Sequence, residues 1–288
     1  MLTQSTPIQS ILHNQDLVLD IKRLDQIHPF VSGNKFFKLK YNLQEAVRLK
    51  KTSLITFGGA YSNHIVATAY AAKQYQLQSI GIIRGDELAN KPRNATLQQA
   101  QAFGMQLQFV NRTDYKQRHD PQFLAQLQQQ YPNSYIIPEG GTNQLAIQGC
   151  QDILTIAEKQ YYDVICVAVG TGGTIAGLIE STTAATHILG FSALKGDFLK
   201  QQIESLTSKT HWTLHSQYHF GGYAKISDEL IQFIQDFEQQ HQIPLEPIYT
   251  GKMMYGMFDL IAQNYFPKNS KILLIHSGGL QGKASLMP

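Results

Sequence analysis

The run Val169-Gly-Thr-Gly-Gly-Thr174 lies between an apolar segment and a segment of helical periodicity. Glycines let backbone N–H groups approach an anion closely, and the start of a helix favours negative charge. Gly170, Thr171, Gly172, Gly173 and Thr174 can therefore cradle a phosphate, the two threonine hydroxyls donating to it. A dinucleotide would need glycine or alanine where Ile175 stands, and an acidic residue on the next strand, near Phe191, where none occurs. A GxxxxGK(S/T) loop for a nucleoside triphosphate is also missing. Taken alone, the loop leaves two readings open, a phosphate site or a glycine-rich turn without a ligand.

Most lysines are solvated surface charges. Lys35 differs in its neighbours, Gly33-Asn34 before it and Phe36-Phe37 after it. Apolar surroundings lower an ammonium pKa, as a lysine that condenses with a carbonyl requires. Lys38 and Lys40 are assigned to a helix face or to the attraction of anions. A third cluster, Gly58-Gly-Ala-Tyr-Ser-Asn-His64, follows an apolar run. Ser62 or Asn63 suits a helix N-cap, and donors on Ser62, Asn63 and His64 suit a carboxylate or phenolate. A Ser/His hydrolase is disfavoured, because Ser62 and His64 are two residues apart and no GxSxG elbow is present. Tyr223, Tyr249 and the late turn Ile275-His-Ser-Gly-Gly279 sit near glycines, where tyrosines commonly pack with a wet tip.

Short β-branched or aromatic runs alternate with helical patterns, as in βα units around a largely parallel sheet. Strands are expected at 53–57, 79–83, 106–110 and 135–137, with helices at 62–75, 93–103 and 121–130. A second series has strands at 164–169, 187–191 and 271–275, and helices at 143–159, 174–184, 226–241 and 252–264. The polar stretch 111–120 reads as a surface connection, and the Gln-rich stretch 124–130 as a solvated helix face.

The 288 residues are 43% hydrophobic and 16% charged, a composition able to bury a sizeable core in one or two domains. No run is long enough to span a membrane, and the start lacks signal-peptide character, so the cytoplasm is expected. Cys150 and Cys166 form no CxxC pattern or metal-ligand cluster, so no metal is expected and both cysteines read as reduced. A net charge of +3 argues against nucleic acid as a partner.

Gly33-Asn-Lys35 with Lys38-Leu39, Ser62-Asn-His64, Gly170-Thr-Gly-Gly-Thr174, Pro247-Ile-Tyr-Thr-Gly-Lys252 and His276-Ser-Gly-Gly279 occur in one order across nearly the whole chain. Together they resemble the aminocyclopropane-carboxylate deaminase / D-cysteine desulfhydrase family. The resemblance implies a two-domain α/β fold type II pyridoxal-phosphate enzyme, similar to the tryptophan synthase β chain, with largely parallel sheets flanked by helices. It implies a larger cofactor-binding domain from 1–37 and 140–288, a smaller inserted domain from 38–139, and a homodimer. By matching position, Lys35 resembles the Schiff-base lysine and Cα proton-transfer group. Asn63 would bond the cofactor's 3-hydroxyl, Ser62 and His64 the substrate carboxylate, and Gly170 to Thr174 the phosphate. Tyr249 resembles an active-site tyrosine, Tyr223 a second one facing the substrate, and Thr250 occupies the position beside the pyridine nitrogen. Tyr61 stands where the family has glutamine.

In this family, deaminases of the cyclopropane substrate carry glutamate at the position of Thr250 and desulfhydrase-like members threonine. A carboxylate keeps the pyridine nitrogen protonated and the ring a strong electron sink, as opening a cyclopropane requires. Loss of a thiol proceeds with a weaker one. The resemblance therefore implies α,β-elimination from a small amino acid, D-cysteine first, giving pyruvate, ammonia and hydrogen sulfide. The alternatives are the cyclopropane deaminase and a non-catalytic protein that binds pyridoxal phosphate or an anion.

Overall fold

The computed structural model describes residues 6–13 and 15–285, apart from the side chains of 282, 284 and 285. Two sheets organise it. The first has the order β1-β2-β10-β7-β8-β9: Ile8–His13, Leu17–Lys22, Ser270–Ile275, Val164–Val169, His187–Ser192 and Trp212–His215. Only β1 runs antiparallel to its neighbour; every other pairing is parallel. The second sheet, β5-β4-β3-β6, is wholly parallel: Met105–Val110, Gln78–Arg84, Ser53–Gly58 and Ser134–Ile137. Its central strand β3 is buried along its whole length, as parallel strands covered by helices on both faces must be.

The helices are α1 (Asn34–Arg48), α2 (Asn63–Gln74), α3 (Ala95–Ala102), α4 (Arg112–Lys116), α5 (Pro121–Gln130), α6 (Gln144–Cys150), α7 (Ile156–Tyr161), α8 (Gly173–Ser181), α9 (Phe198–Glu204), α10 (Asp228–His241) and α11 (Thr250–Ala262). The seven strands and the helical segments expected from periodicity are present, with two corrections. The single helix expected over 143–159 breaks after Cys150 into a short 3-10 turn and then α7. Thr155 restarts it, its side chain accepting the Glu158 N–H while the Glu158 carboxylate takes the Thr155 N–H. The stretch 111–120 also folds. Asn111 caps α4, and Tyr115 is buried, its hydroxyl donating to Glu139 at 2.7 Å. Strands β1, β2 and β9 and helix α9 escaped the periodicity reading.

Helix α1 carries Lys35 and Lys38, and its seat is tight. Phe36, Leu39, Leu43 and Ala46, at helical spacing, face the core. Gly33 precedes the helix at φ 65°, and the Asn34 N–H bonds the Ser277 carbonyl at 3.2 Å. On its other side α1 rests on α6 at Gly149, where a Cβ would fall 2.0 Å from the Phe37 carbonyl oxygen. Gly149→Ala must push the two helices apart, so we expect a stability loss of about 2–4 kcal/mol, read from the urea midpoint.

Candidate active site

A cleft of about 440 Å³ opens between the two sheets. Its walls are the first turn of α1, the loops that leave β3, β7 and β10, the end of β4, and Tyr223 and Tyr249. Carboxyl ends of parallel strands leave backbone N–H groups and loop side chains free to meet a ligand. A broader, more open groove of about 640 Å³ lies along α6, α8 and α9, with Glu180 and Glu204 as its only titratable groups among the described residues.

Lys35 is half-buried at the bottom of the cleft, its Nζ donating to Asn34 Oδ1 at 2.9 Å. Burial, reinforced by the Lys38 ammonium one turn on, lowers its pKa from 10.5 to about 7. Lys38 is only 2% exposed. Its Nζ donates to the Gly140 carbonyl at 3.0 Å, Thr142 Oγ1 at 3.1 Å and Thr171 Oγ1 at 3.3 Å. Burial also lowers the Lys38 pKa, to about 8. Neither lysine forms an ion pair among the described residues. Lys40 instead meets Asp152 at 2.7 Å in solvent.

The glycine loop follows β7 into α8. Gly172 takes the left-handed conformation at φ 75°, and no side chain caps the helix. Its first N–H groups therefore point at whatever the cradle holds. Thr171 Oγ1 sits 2.6 Å from Thr142 Oγ1, and Thr174 Oγ1 accepts from Asn34 Nδ2 at 2.8 Å, tying the cradle to the lysine turn. A Cβ at Gly173 would lie 3.2 Å from Lys38 Nζ, and one at Gly170 would be 2.9 Å from the Tyr249 ring. The glycines keep this space open.

Ser62 caps α2, its Oγ accepting from Ile65 N–H at 3.4 Å. Asn63 Oδ1 is buried without a partner, and its Nδ2 lies where a Cβ on Gly279 would intrude to 2.6 Å. His64 is 1% exposed, with Nε2 2.8 Å from Thr56 Oγ1 and Nδ1 unpartnered. Because Thr56 Oγ1 donates to the Ile137 carbonyl, Nε2 carries the ring proton and Nδ1 offers a lone pair. A carboxylate contact would need the proton on Nδ1. Burial, Lys35 and Lys38 all hold His64 neutral, far below the usual imidazole range.

Tyr249 and Tyr223 meet edge to face, ring centroids 6.2 Å apart. Burial raises both phenols, Tyr223 to about 12, so each remains a donor at neutral pH. Thr250 is fully buried, its Oγ1 3.1 Å from Glu246 Oε1. Glu246, which sequence reasoning missed, caps α11 by accepting N–H groups from Ile248, Tyr249 and Thr250 at 2.6–3.1 Å. Its acidic residue before Pro247 was the available signal. Lys252 is 1% exposed and donates to the His219 and Gly222 carbonyls, both at 2.8 Å, holding the loop that presents Tyr223.

An uncapped helix start, two lysine amines without counter-ions among the described residues and an orphaned amide suit an anionic cofactor with a phosphate and an aldehyde. The fold is that of a fold type II pyridoxal-phosphate enzyme. A family model described as "Pyridoxal-phosphate dependent enzyme" matches residues 6–278, and the chain belongs to that family. It is 30% identical to the bifunctional D-cysteine desulfhydrase/1-aminocyclopropane-1-carboxylate deaminase of Arabidopsis thaliana, over 91% of this chain and 72% of the relative. It is 28% identical to a putative 1-aminocyclopropane-1-carboxylate deaminase of Pyrococcus horikoshii, over 98% of this chain and 91% of the relative. A solved structure described as an ACC deaminase homologue superimposes with TM-score 0.83 at 27% identity, covering 97% of this chain and 90% of the other. Among the described residues no helix is long and apolar enough to cross a membrane.

The lowered Lys35 pKa has a direct consequence. A lysine condenses with an aldehyde only as the free amine, and for Lys35 that form is half-populated near pH 7 rather than 10.5. The rate at which apoprotein gains visible absorption from added pyridoxal phosphate should rise through pH 7 and level off by about pH 8–9. A rate still climbing steeply at pH 10 would show an ordinary lysine.

Proposed function

We propose that the chain catalyses α,β-elimination from a small amino acid, with D-cysteine as the first substrate and pyruvate, ammonia and hydrogen sulfide as products. The reading divides the chain into a cofactor-holding unit, 1–37 and 140–288, and an inserted unit, 38–139. All four strands of the second sheet lie within the insert, and α1 runs across the junction at 37/38. The reading also takes the enzyme as cytoplasmic and, by resemblance, as a homodimer.

Bound pyridoxal phosphate supplies an electron sink conjugated to the substrate's Cα. Lys35 Nζ would hold its aldehyde carbon, the amides and hydroxyls of Gly170 to Thr174 with Lys38 its phosphate, and Asn63 its 3-hydroxyl. Once the substrate's amine has replaced it on that carbon, Lys35 Nζ would be free to take the Cα proton, which needs an unprotonated amine at neutral pH, and its surroundings favour that state. Ser62 and the free amides of its loop receive the substrate carboxylate. His64 enters as an acceptor through Nδ1. The Tyr223 and Tyr249 phenols, both protonated, can donate to the departing group.

The observation that carries the choice of elimination is the state of Thr250. Its hydroxyl is neutral, and the one carboxylate beside it, Glu246, is occupied by backbone N–H groups of α11. The group assigned to the ring nitrogen thus lacks the charge that a strong sink requires. Cyclopropane opening is the second reading, favoured by the names of the relatives.

Purified holoprotein should be yellow, and Lys35→Ala should lose that absorption. Pyruvate release from D-cysteine should exceed that from the cyclopropane amino acid by at least about tenfold. Faster release from the cyclopropane amino acid would overturn the choice. Thr250→Glu should move the ratio toward the cyclopropane substrate.

A further inference from the structure

Arg84 ends β4 on the cleft wall, and its surroundings leave it unmatched. Five of the six arginines in the chain have hydrogen-bond partners. Arg23, Arg48, Arg112 and Arg118 pair with carboxylates and Arg93 with backbone carbonyls. Among the described residues, Arg84 has only a distant ring, with Cζ 5.9 Å from the centroid of Tyr115. Two carboxylates follow it closely in sequence, yet neither reaches it. Gly85, at φ 111°, turns the chain away; Asp86 accepts the Glu87 N–H, and Glu87 pairs with Arg112 at 2.8 Å.

The same wall carries Arg118, but Glu139 neutralises it at 2.6 Å. The uncompensated charge on this side of the cleft is therefore that of Arg84. A Cβ on Gly59 would lie 3.6 Å from its Nη2, so the guanidinium borders the loop leading to Ser62. It also reaches Tyr223 electrostatically, opposing the rise that burial imposes on that phenol. Arg84, exposed to solvent, thus lines the mouth of the cleft beside the loop leading to Ser62 and within electrostatic reach of Tyr223. A guanidinium there offers a planar fork of N–H donors that matches a group with two oxygens.

We propose that Arg84 is a specificity residue that receives an anionic group at the far end of the substrate's side chain, so that the cleft prefers amino acids with a charged β-substituent over neutral ones. The inference rests on the elimination reading and deepens it, with cysteine as the small neutral member of the substrate class. For S-sulfocysteine the balance is complete. The Cα proton passes to Lys35 Nζ, the Cβ–S bond breaks, and sulfur leaves with the electron pair as thiosulfate. The remaining 2-aminoacrylate takes up water to give pyruvate and ammonia.

The test uses holoenzyme with both enantiomers of S-sulfocysteine, whose side chain is anionic, and of β-chloroalanine, whose side chain is neutral. Pyruvate release gives kcat and KM, and the change in the cofactor's visible absorption on titration gives binding independently of turnover. Arg84→Gln should lower kcat/KM for S-sulfocysteine about tenfold or more beyond its effect on β-chloroalanine, mainly through KM, and Arg84→Lys should recover part of the loss. Added salt should raise the wild-type KM for S-sulfocysteine alone. An equal loss on both substrates would put Arg84 on the α-carboxylate and overturn the assignment. Turnover of β-chloroalanine without binding of S-sulfocysteine, or with a ratio unchanged by Arg84→Gln, would overturn it while leaving elimination standing. Holoenzyme whose absorption no amino acid alters would overturn both.

Discussion

Lys35 and Lys38 stand one turn apart at the start of one helix, the first half-buried and the second fully buried, and neither is matched by a carboxylate among the described residues. Burying a charge without a counter-ion is costly, and two like charges on adjacent turns add repulsion. The fold meets Lys38 with a carbonyl and two hydroxyls, and leaves Lys35 only the amide oxygen of Asn34. Both pKa values fall in consequence. A pocket of that kind is completed by an anion and by a carbonyl that condenses with the freer amine, and pyridoxal phosphate brings both.

The rest of the architecture serves this arrangement. Gly33 and Gly149 allow α1 to sit against the 276–279 loop on one side and α6 on the other, so the lysines have a fixed base. The uncapped start of α8 adds partial positive charge beside them. Elsewhere, carboxylates near the cleft are engaged. Glu246 is held by the start of α11, and Glu139 by Arg118 and Tyr115. Neither lysine gains an ion pair among the described residues, and Glu246 only partly offsets the fall of the Lys35 pKa, so the place is left to ligands.

Much of the fold was legible because its strands are short apolar runs and its helices carry periodic apolar stripes, as in α1 and α10. The unforeseen elements lack those signals. β9 is a four-residue edge strand with half-buried side chains, and its pairing with β8 supplies what its own pattern does not. The break after Cys150 depended on a capping box whose two residues sit inside an otherwise continuous helical pattern.

Residue types and their order singled out the glycine loop, the lysine turn, the Ser-Asn-His turn and the tyrosines, because glycine freedom, capping side chains and an apolar setting are properties of local sequence. Which charges are buried is different in kind, since burial depends on what distant segments bring. Lys38 and Lys40 look alike in sequence, yet Gly140, Thr142 and Thr171 enclose the first and solvent surrounds the second. The same holds for the tautomer of His64, set by Thr56 and Ile137, and for the engagement of Thr250 by Glu246. Arg84 was one basic residue among many until the tertiary structure paired the other five arginines and left it facing the cleft. Sequence determined the chemistry on offer, and only the packing of the two sheets decided where charge would be matched and where it would wait for a ligand.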